Sequence, residues 1–340
     1  MKTTENRPAS GKRALKFLGR TLTVVLVTAL LLVLALYGVM FVLTKGPSPT
    51  ARDLFVMSVR ETSAMGWLAN LYFSDEEIAI IEAGKTAGAD AEETDPSLVQ
   101  VGTGTDDYGL TDDDGDGIIL ETVNGPGYVG YMMVVLDPSR IMLGTPSTFG
   151  GTGLTVEQMV KTYDCVAGIN GGGFYDPNGQ GTGGIPEGMA ILDGRVYYAS
   201  EGTSYNFVGF DSNYILHTGQ MTAEEATEKD IQFGCSFGPV LVSNGEPLDT
   251  TTLASGVNPR TAIGQRADGA VLLLVVDGRQ AYSLGATFSD LADIMLEYGA
   301  VNACNLDGGS SSMMWFEDGY VNRCASVIGI RPIPTGFLVK

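Results

Sequence analysis

The chain has 340 residues, of which 44% are hydrophobic and 9% aromatic, so it can bury a full core and is not an intrinsically disordered protein. Its net charge of −20 is divided unequally, because residues 1–52 carry eight basic side chains against one acidic side chain and leave −27 for the remainder. An acidic body of this size repels nucleic acid, and no basic patch with interleaved aromatics offsets it, so we predict no nucleic-acid partner.

A membrane-spanning helix is predicted over residues 21–44, a stretch of 24 residues without a charged side chain. At a rise of about 1.5 Å per residue it is long enough to cross a hydrocarbon core of about 30 Å. Six basic residues precede it in segment 1–20, and only Lys45 and Arg52 follow closely, so the positive-inside rule predicts a cytoplasmic N-terminus and an extracytoplasmic body. A cleaved signal peptide is the alternative, but its apolar region is usually ~7 to 15 residues long. We therefore favour an uncleaved, single-pass signal anchor in the cell membrane.

Two further segments precede the body. Residues 45–83 are predicted as a helical stalk, because apolar residues recur there at helical spacing. Residues 84–117 are acidic and rich in small side chains, which is typical of a solvated linker.

An incomplete calcium-loop pattern lies within this acidic segment. Asp112, Asp114 and Asp116 match the first half of such a loop, but Val123 stands where the last acidic ligand belongs. A solvated acidic turn is the favoured interpretation.

The body, residues 118–340, is predicted as an α+β domain built around a mixed β-sheet with flanking helices. Apolar, β-branched runs at 128–136 and 271–276 predict strands. Capping boxes that begin at Thr155 and Thr287 predict two helices.

Each of these helices is followed by a short apolar run and then by a glycine-rich loop. The first loop begins Asn170-Gly-Gly-Gly, and the second begins Asn305-Leu-Asp307-Gly-Gly. The similarity predicts a repeated unit that could bring Asn170 and Asp307 to the same edge of one sheet, with chance similarity as the alternative.

Cysteine and histidine usage argues against metal chemistry. The four cysteines match no zinc motif, although an even number outside the cytoplasm permits disulfides. Cys304 and Cys324 could face each other across a hairpin, and free buried thiols are the equal alternative. The single histidine, His217, is interpreted as structural. We predict no metal and no cofactor.

The most informative run is residues 305–312, where Asp307 follows an apolar stretch and precedes two glycines and three serines. Glycines allow positive φ and close approach of the backbone to a ligand, and successive amide groups can hold an oxyanion. A tight turn with a capping aspartate is the alternative. Arg260, which follows a proline in an acidic domain, is expected to bind a carboxylate or phosphate, with an ordinary salt bridge as its alternative. Arg279 is a weaker candidate of the same kind.

Four motifs together resemble those of the phosphodiester glycosidase family. In chain order they are Ile169-Asn-Gly-Gly-Gly-Phe174, Asn258-Pro-Arg-Thr-Ala262, Val276-Asp-Gly-Arg279 and Asn305-Leu-Asp-Gly-Gly-Ser310. The resemblance covers roughly residues 128–339 and is specific through the combination of motifs. Bacterial members of the family are often described as exopolysaccharide-related proteins.

The resemblance implies a hydrolase that cleaves the glycosidic C–O bond of sugar-1-phosphodiesters in extracytoplasmic glycans or wall polymers. The oxocarbenium-like sugar of such a reaction needs a carboxylate, for which Asp307 fits, with Glu187 and Asp277 as candidates for a second one. Asp277 has a turn aspartate as its equal alternative. Arg260 could absorb the charge that develops on the leaving phosphate. The other predicted substrate-binding residues are Asn170, Gly172, Arg279, Asn305, Gly308, Gly309 and Ser310.

Two other classes of function remain open at this point. A surface glycan-binding or wall-assembly protein could keep the fold without turnover, although such modules usually display aromatic platforms and the chain has only two tryptophans, Trp67 and Trp315. A phosphodiesterase that cleaves P–O is the third class, but that chemistry usually uses metal ions.

Overall fold

The computed structural model describes residues 10–60, 65–83, 91–102, 106, 108–176, 181–249, 256–326 and 329–340. The chain divides between Phe55 and Val56 into two compact units. The helices are α1 (Ser10–Lys45), α2 (Pro49–Arg60), α3 (Trp67–Asn70), α4 (Asp75–Ala83), α5 (Val156–Thr162), α6 (Ala223–Glu228) and α7 (Phe288–Glu297).

Helix α1 is the predicted apolar N-terminal helix, and it is longer than the predicted span of residues 21–44. Its segment Leu15–Lys45 contains an 18-residue stretch with a mean hydropathy of 2.8 and meets the length and apolarity requirements of a membrane-crossing helix. The apolar side chains of this segment are exposed along nearly its whole length, as expected for a helix whose solvent is lipid.

The second unit contains all the strands of the described chain. They are β1 (Ile118–Gly125), β2 (Tyr128–Val135), β3 (Ile141–Gly144), β4 (Ala167–Asn170), β5 (Ala190–Leu192), β6 (Arg195–Tyr198), β7 (Tyr205–Asp211), β8 (Leu216–Met221), β9 (Ile231–Ser236), β10 (Val240–Ser243), β11 (Glu246–Pro247), β12 (Arg260–Arg266), β13 (Val271–Val276), β14 (Ala300–Leu306), β15 (Met314–Phe316), β16 (Gly319–Tyr320) and β17 (Gly336–Val339).

These strands form three sheets. The seven-stranded sheet has the order β1-β2-β13-β12-β14-β10-β11, and the two five-stranded sheets have the orders β16-β15-β4-β17-β3 and β6-β5-β9-β7-β8. The predicted α+β class with flanking helices is confirmed. Every pairing among these described strands is antiparallel, however, where a mixed sheet was expected. The reason is that each strand next to a helix is paired with antiparallel neighbours from elsewhere in the chain, and such partners cannot be read from local sequence.

The seven-stranded sheet is the central layer of the body. One face packs on α7 through residues such as Leu274 and Leu291, and the other face packs on the two smaller sheets through residues such as Leu273 and Phe337. Strand β13 is buried on both faces, which explains why its sequence is continuously apolar instead of alternating. Truncating Leu273 to alanine is therefore expected to cost about 2–5 kcal/mol of stability.

Parts of the segment predicted as a solvated linker, residues 84–117, contact the body, although most of its described residues are exposed. Val99 is buried, and Asp106 Oδ1 lies 2.6 Å from Arg266 Nη2, whose side chain is fully buried. The Arg266 guanidinium also stacks on Tyr108, with 4.0 Å between its central carbon and the ring centroid. A buried arginine needs acidic partners, so part of the acidic composition of this segment serves to bind Arg266. The linker assignment itself stays a prediction.

The cysteines resolve one open alternative of the sequence. All four cysteines are free. Cys304 packs with Cys235 in the apolar cluster between the central sheet and the smaller sheets, whereas Cys324 packs in a different apolar cluster with Trp315. The Cys304–Cys324 pairing is therefore not formed. In the acidic turn, Asp112 accepts hydrogen bonds from the N–H groups of Gly115 and Gly117.

Candidate active site

The backbone of Asp307 is fixed by the loop that follows β4. The Asp307 N–H donates to the Gly171 carbonyl at 3.0 Å, and Asn170 Nδ2 donates to the Asp307 carbonyl at 2.6 Å. Asn170 Oδ1 in turn accepts from Thr261 Oγ1 at 2.8 Å and from the Met313 N–H at 3.1 Å. The oxygen and one amide hydrogen of the buried Asn170 side chain are thus both bonded. The side chain holds the Asp307 carbonyl and the Met313 N–H in place.

Asn170 and Asp307 therefore meet, but not at the edge of one sheet. Strand β4 belongs to a five-stranded sheet and β14 to the seven-stranded sheet, so the two glycine loops close against each other across the layer boundary. The seam between layers is a natural place for a site, because loops there are held by two sheets at once.

The Asp307 carboxyl group is partly shielded from solvent at the end of β14. Burial raises its pKa to about 6, while hydrogen bonds from the Ser311 hydroxyl and the Gly308 N–H, together with the charge of Arg331, oppose that rise. A carboxyl group with a pKa near 6 changes its protonation state close to neutral pH, which suits acid, base or nucleophilic chemistry.

Arg331 is a functional candidate that the sequence analysis missed. Its Nη1 donates to Asp176 Oδ2 at 2.6 Å, and its central carbon lies 5.0 Å from the centroid of the Phe174 ring. Its buried Nη2 has no hydrogen-bond partner among the described residues. Asp176 raises the pKa of Arg331, and Arg331 lowers that of Asp176, so both stay charged beside Asp307.

A usable sequence signal for Arg331 existed. The residue stands directly before a proline in an acidic body with few bases, which is the same type of context that selected Arg260. No family motif was recognised around it, so it was not singled out.

Arg260 is occupied by backbone carbonyl groups in the structure. Its Nε donates to the Ala286 carbonyl at 3.1 Å and its Nη2 to the Gly256 carbonyl at 2.6 Å, while the guanidinium stacks on Phe288 at 4.3 Å. Because side chains alternate along β12, Arg260 faces α7 and the neighbouring Thr261 faces Asn170. The phosphate role predicted for Arg260 stays a prediction.

Arg279 lies over the glycine turn that follows Asp307. Its Nη2 donates to Asn258 Oδ1 at 2.9 Å, and a β-carbon added to Gly309 would lie 3.5 Å from that same nitrogen. Gly309 has a φ of +64°, in the left-handed region that favours glycine, and its N–H donates to the Pro259 carbonyl at 2.8 Å. The exposed guanidinium of Arg279 is thus positioned beside the Asp307 turn.

Asp277 lies in a saturated hydrogen-bond network. Tyr282 Oη donates to Asp277 Oδ2 at 2.7 Å, and Oδ1 accepts from the Arg323 N–H at 2.9 Å and from Asn322 Nδ2 at 3.2 Å. The residue is only 1% exposed. Burial and the neighbouring carboxylate raise the pKa of Tyr282 to about 12, so its hydroxyl remains a donor at neutral pH. These contacts match the turn-aspartate alternative.

Glu187 is exposed and lies over the first glycine loop. Its N–H donates to the Gly173 carbonyl at 2.9 Å, and a β-carbon added to Gly173 would lie 3.4 Å from Glu187 Oε2. In the same loop, the Gly172 N–H donates to Thr335 Oγ1 at 2.9 Å. A β-carbon on Gly172 would lie 2.6 Å from the Ser236 carbonyl oxygen, so no larger residue fits there.

The two remaining predicted residues flank Asp307 along the chain. Asn305 Nδ2 donates to the Gly238 carbonyl at 2.7 Å, and its buried Oδ1 has no hydrogen-bond partner in the described part of the chain. Ser310 lies in the single-turn 3₁₀ helix Gly309–Ser311 and is partly exposed. Asn305 thus holds the end of β14 against the Gly238 loop and retains an acceptor without a described partner.

The arrangement combines acidic and cationic groups around one turn. Asp307 lies near the guanidinium groups of Arg331 and Arg279, and Glu187 is a second carboxylate at the neighbouring Gly173 loop. Such a set can stabilise a positively charged sugar on one side and a negatively charged leaving group on the other. The acidic cluster of Asp112, Asp114 and Asp116, the one group with metal-like spacing among the described residues, is not part of it.

Comparison with known proteins identifies the family of the chain. The family model described as phosphodiester glycosidase matches residues 163–340, a narrower range than the predicted 128–339. The chain is 34% identical over 195 residues to the SPβ prophage-derived protein YomE of Bacillus subtilis, covering 54% of this chain and 29% of that protein. It is 30% identical over 176 residues to human N-acetylglucosamine-1-phosphodiester α-N-acetylglucosaminidase, covering 46% of this chain and 33% of that protein. The chain thus spans about a third of the length of these relatives.

A solved structure shows the same fold. The catalytic domain of zebrafish N-acetylglucosamine-1-phosphodiester α-N-acetylglucosaminidase, in a form auto-inhibited by its pro-peptide, superposes with a TM-score of 0.55 at 22% identity. The superposition covers 65% of this chain and 81% of that domain. Since the family model matches more than half of the chain and the fold is shared with this domain, the chain belongs to the phosphodiester glycosidase family.

Proposed function

We propose that the chain is a hydrolase that cleaves the glycosidic C–O bond of sugar-1-phosphodiesters in extracytoplasmic glycans or wall polymers. The observation that carries this proposal is the Asp307 carboxyl group, whose pKa is raised to about 6, beside an Arg331 guanidinium with an unused donor. The family membership and the substrate named in the human and zebrafish relatives support it.

Asp307 is assigned to the sugar. Above pH 6 its ionised carboxylate can stabilise the oxocarbenium-like centre, either as a nucleophile or as the base that activates water. Asn170 holds the backbone in place by binding the main-chain carbonyl, and the carboxylate itself accepts only from the Ser311 hydroxyl and the Gly308 N–H among the described residues. This preorganisation is what a catalytic carboxylate needs.

Glu187 is assigned as the second carboxylate. It is exposed and lies over the Gly173 loop, whose neighbour Gly171 is bonded to the Asp307 N–H. Asp277, the other candidate, is assigned a structural role, because its two oxygens already accept three hydrogen bonds.

Arg331 and Arg279 are assigned to the phosphate. A phosphomonoester is a good leaving group that departs as an anion, so stabilising its charge contributes more than protonating it. Arg331 is held by Asp176 and has Nη2 unused, while Arg279 lies beside Gly309 in the turn that follows Asp307. Arg260 is given the role of fixing residue 256 and the start of β12, through its bond to the Gly256 carbonyl.

The same proposal places the enzyme at the cell surface. Helix α1 would anchor it in the membrane as a single pass, and the excess of basic residues before the apolar segment puts the N-terminus in the cytoplasm. The site would then face extracytoplasmic glycans.

The direct test is hydrolysis by the detergent-solubilised full-length chain of a panel of α-glycosyl-1-phosphate methyl diesters, including that of N-acetylglucosamine. We expect release of free sugar and methyl phosphate, and a loss of at least about 1,000-fold in kcat/KM for Asp307→Asn. Asp318→Asn, at an exposed turn, is the matched control and should keep wild-type activity. Wild-type turnover by Asp307→Asn would remove the assignment.

A further inference from the structure

Three aromatic rings form an exposed patch on the body, which we call the aromatic platform. Tyr197 and Tyr198 of the edge strand β6 are 53% and 39% exposed, and both pack edge-to-face on Phe149. The ring centroids are 6.4 and 6.1 Å apart, with interplanar angles of 66° and 71°. An edge-to-face cluster leaves ring faces open to solvent, which is unusual for apolar surface without a partner.

The platform is a built feature of the strand. Consecutive side chains on a regular strand point to opposite faces, so Tyr197 and Tyr198 would not meet the same ring. The register between β5 and β6 shifts here: Ala190 pairs with Tyr198, while Ile191 pairs with Val196, which leaves Tyr197 as the extra residue of a bulge. Bulges re-aim side chains in this way, and here the result is that both tyrosines contact Phe149.

The platform is connected to the candidate active site through one segment of the chain, residues 184–190. The loop that carries Phe149 is bonded to the segment before Glu187, because the Gly150 N–H donates to the Gly184 carbonyl at 2.7 Å. On the other side, Tyr198 pairs with Ala190, three residues after Glu187. The carboxylate and the platform therefore share one short segment, residues 184–190.

The chemistry of the patch fits an uncharged sugar chain. The apolar C–H face of a pyranose packs on an aromatic face, and a tyrosine hydroxyl at the ring edge can bond a sugar hydroxyl. A polyanion is disfavoured next to the body, whose residues 118–340 carry a net charge of −13. The chain has only two tryptophans, but clustered tyrosines can offer ring faces to a sugar in the same way.

We propose that the aromatic platform is a glycan subsite, which stacks uncharged sugar residues of a polymeric substrate as they leave the candidate active site. This inference rests on the proposed function for its substrate. Its consequence is that the enzyme prefers a glycosyl phosphate attached to an oligosaccharide over the same glycosyl phosphate with a methyl group.

The test compares two substrates, the N-acetylglucosamine-1-phosphate methyl diester and the same phosphate esterified to a linear hexasaccharide of N-acetylglucosamine. The double variant Tyr197→Ala/Tyr198→Ala should raise KM for the long substrate about 10- to 100-fold and leave kcat and the short substrate unchanged. The matched Tyr197→Phe/Tyr198→Phe variant keeps both rings and should restore most of the affinity. Equal effects on both substrates, or no effect on either, would overturn the platform.

A binding experiment separates failure of the platform from failure of the proposed function. Linear hexasaccharides of glucose, mannose and N-acetylglucosamine, without phosphate, are titrated into the full-length protein. If the wild type hydrolyses neither diester, the proposed function fails, and weaker binding of at least one hexasaccharide by the alanine variant still supports the platform. If the alanine variant binds all three as the wild type does, the platform is wrong whatever the hydrolysis assay shows.

Discussion

Asp277 and Asp307 each follow a buried strand of the central sheet and each precede a glycine, yet their carboxylates lie in opposite environments. Asp277 is 1% exposed and accepts three hydrogen bonds from two loops. Asp307 accepts from Ser311 and Gly308, and burial still raises its pKa to about 6. The same local pattern therefore stabilises the fold at Asp277 and provides a carboxylate available for chemistry at Asp307.

The difference comes from what approaches each strand end. Around Asp277 the neighbours are donors that match its two oxygens, so the ionised form is fully bonded. Around Asp307 the neighbours include Asn170, which uses the main-chain carbonyl, and Arg331, whose Nη1 is committed to Asp176. A carboxylate whose burial is not fully compensated by hydrogen bonds is available for catalysis, and its burial lowers the stability of the fold.

Among the changes that test this comparison, a large loss of activity is expected for a substitution of Arg331. Replacing Arg331 with glutamine should lower kcat/KM for glycosyl phosphodiesters about 100- to 1,000-fold, because a preorganised cation for the leaving phosphate is lost. Neutral aryl glycosides, whose leaving groups carry less charge, should lose much less. Equal losses on both substrate types, measured in parallel, would assign Arg331 to structure and not to the phosphate.

Asp277 should respond in the opposite way, through stability. Asp277→Ala leaves Tyr282 Oη, the Arg323 N–H and Asn322 Nδ2 without their acceptor, which is expected to cost about 2–4 kcal/mol of unfolding free energy. Denaturant unfolding of the full-length protein measures this change. A variant as stable as the wild type but without activity would move Asp277 into the catalytic set.

Asp307→Asn should stabilise the fold in a pH-dependent way. Because the folded pKa of about 6 lies above the ordinary value of 3.8, the wild type loses stability as pH rises through that interval, and the asparagine variant does not. The variant should equal the wild type below about pH 4 and gain up to about 2 kcal/mol above pH 6. A gain that is the same at pH 4 and pH 8 would contradict the raised pKa.

Local sequence anticipated the elements of the site better than their arrangement. The capping boxes at Thr155 and Thr287 form as predicted, and the paired glycine loops do bring Asn170 to Asp307. The placement of those loops at a seam between sheets could not be predicted, since it depends on which distant strands pair with β4 and β14.

Side-chain direction was the second limit of the sequence. The motif around Arg260 was recognised, but the direction of its side chain was not. That direction depends on which face of β12 packs on α7 and which face packs on β4. The contacts that Arg331 and Asp106 make could not be predicted, because their partners, Asp176 and Arg266, are far away along the chain.

The central claim is that this chain cleaves the sugar–oxygen bond of a glycosyl phosphodiester. Hydrolysis of the N-acetylglucosamine-1-phosphate methyl diester in water labelled with oxygen-18 tests it, with the products analysed by mass spectrometry. The proposed mechanism predicts label on carbon 1 of the free sugar and none in methyl phosphate. Label in the phosphate would mean that the P–O bond is cut, and would contradict the roles proposed for Asp307 and Arg331.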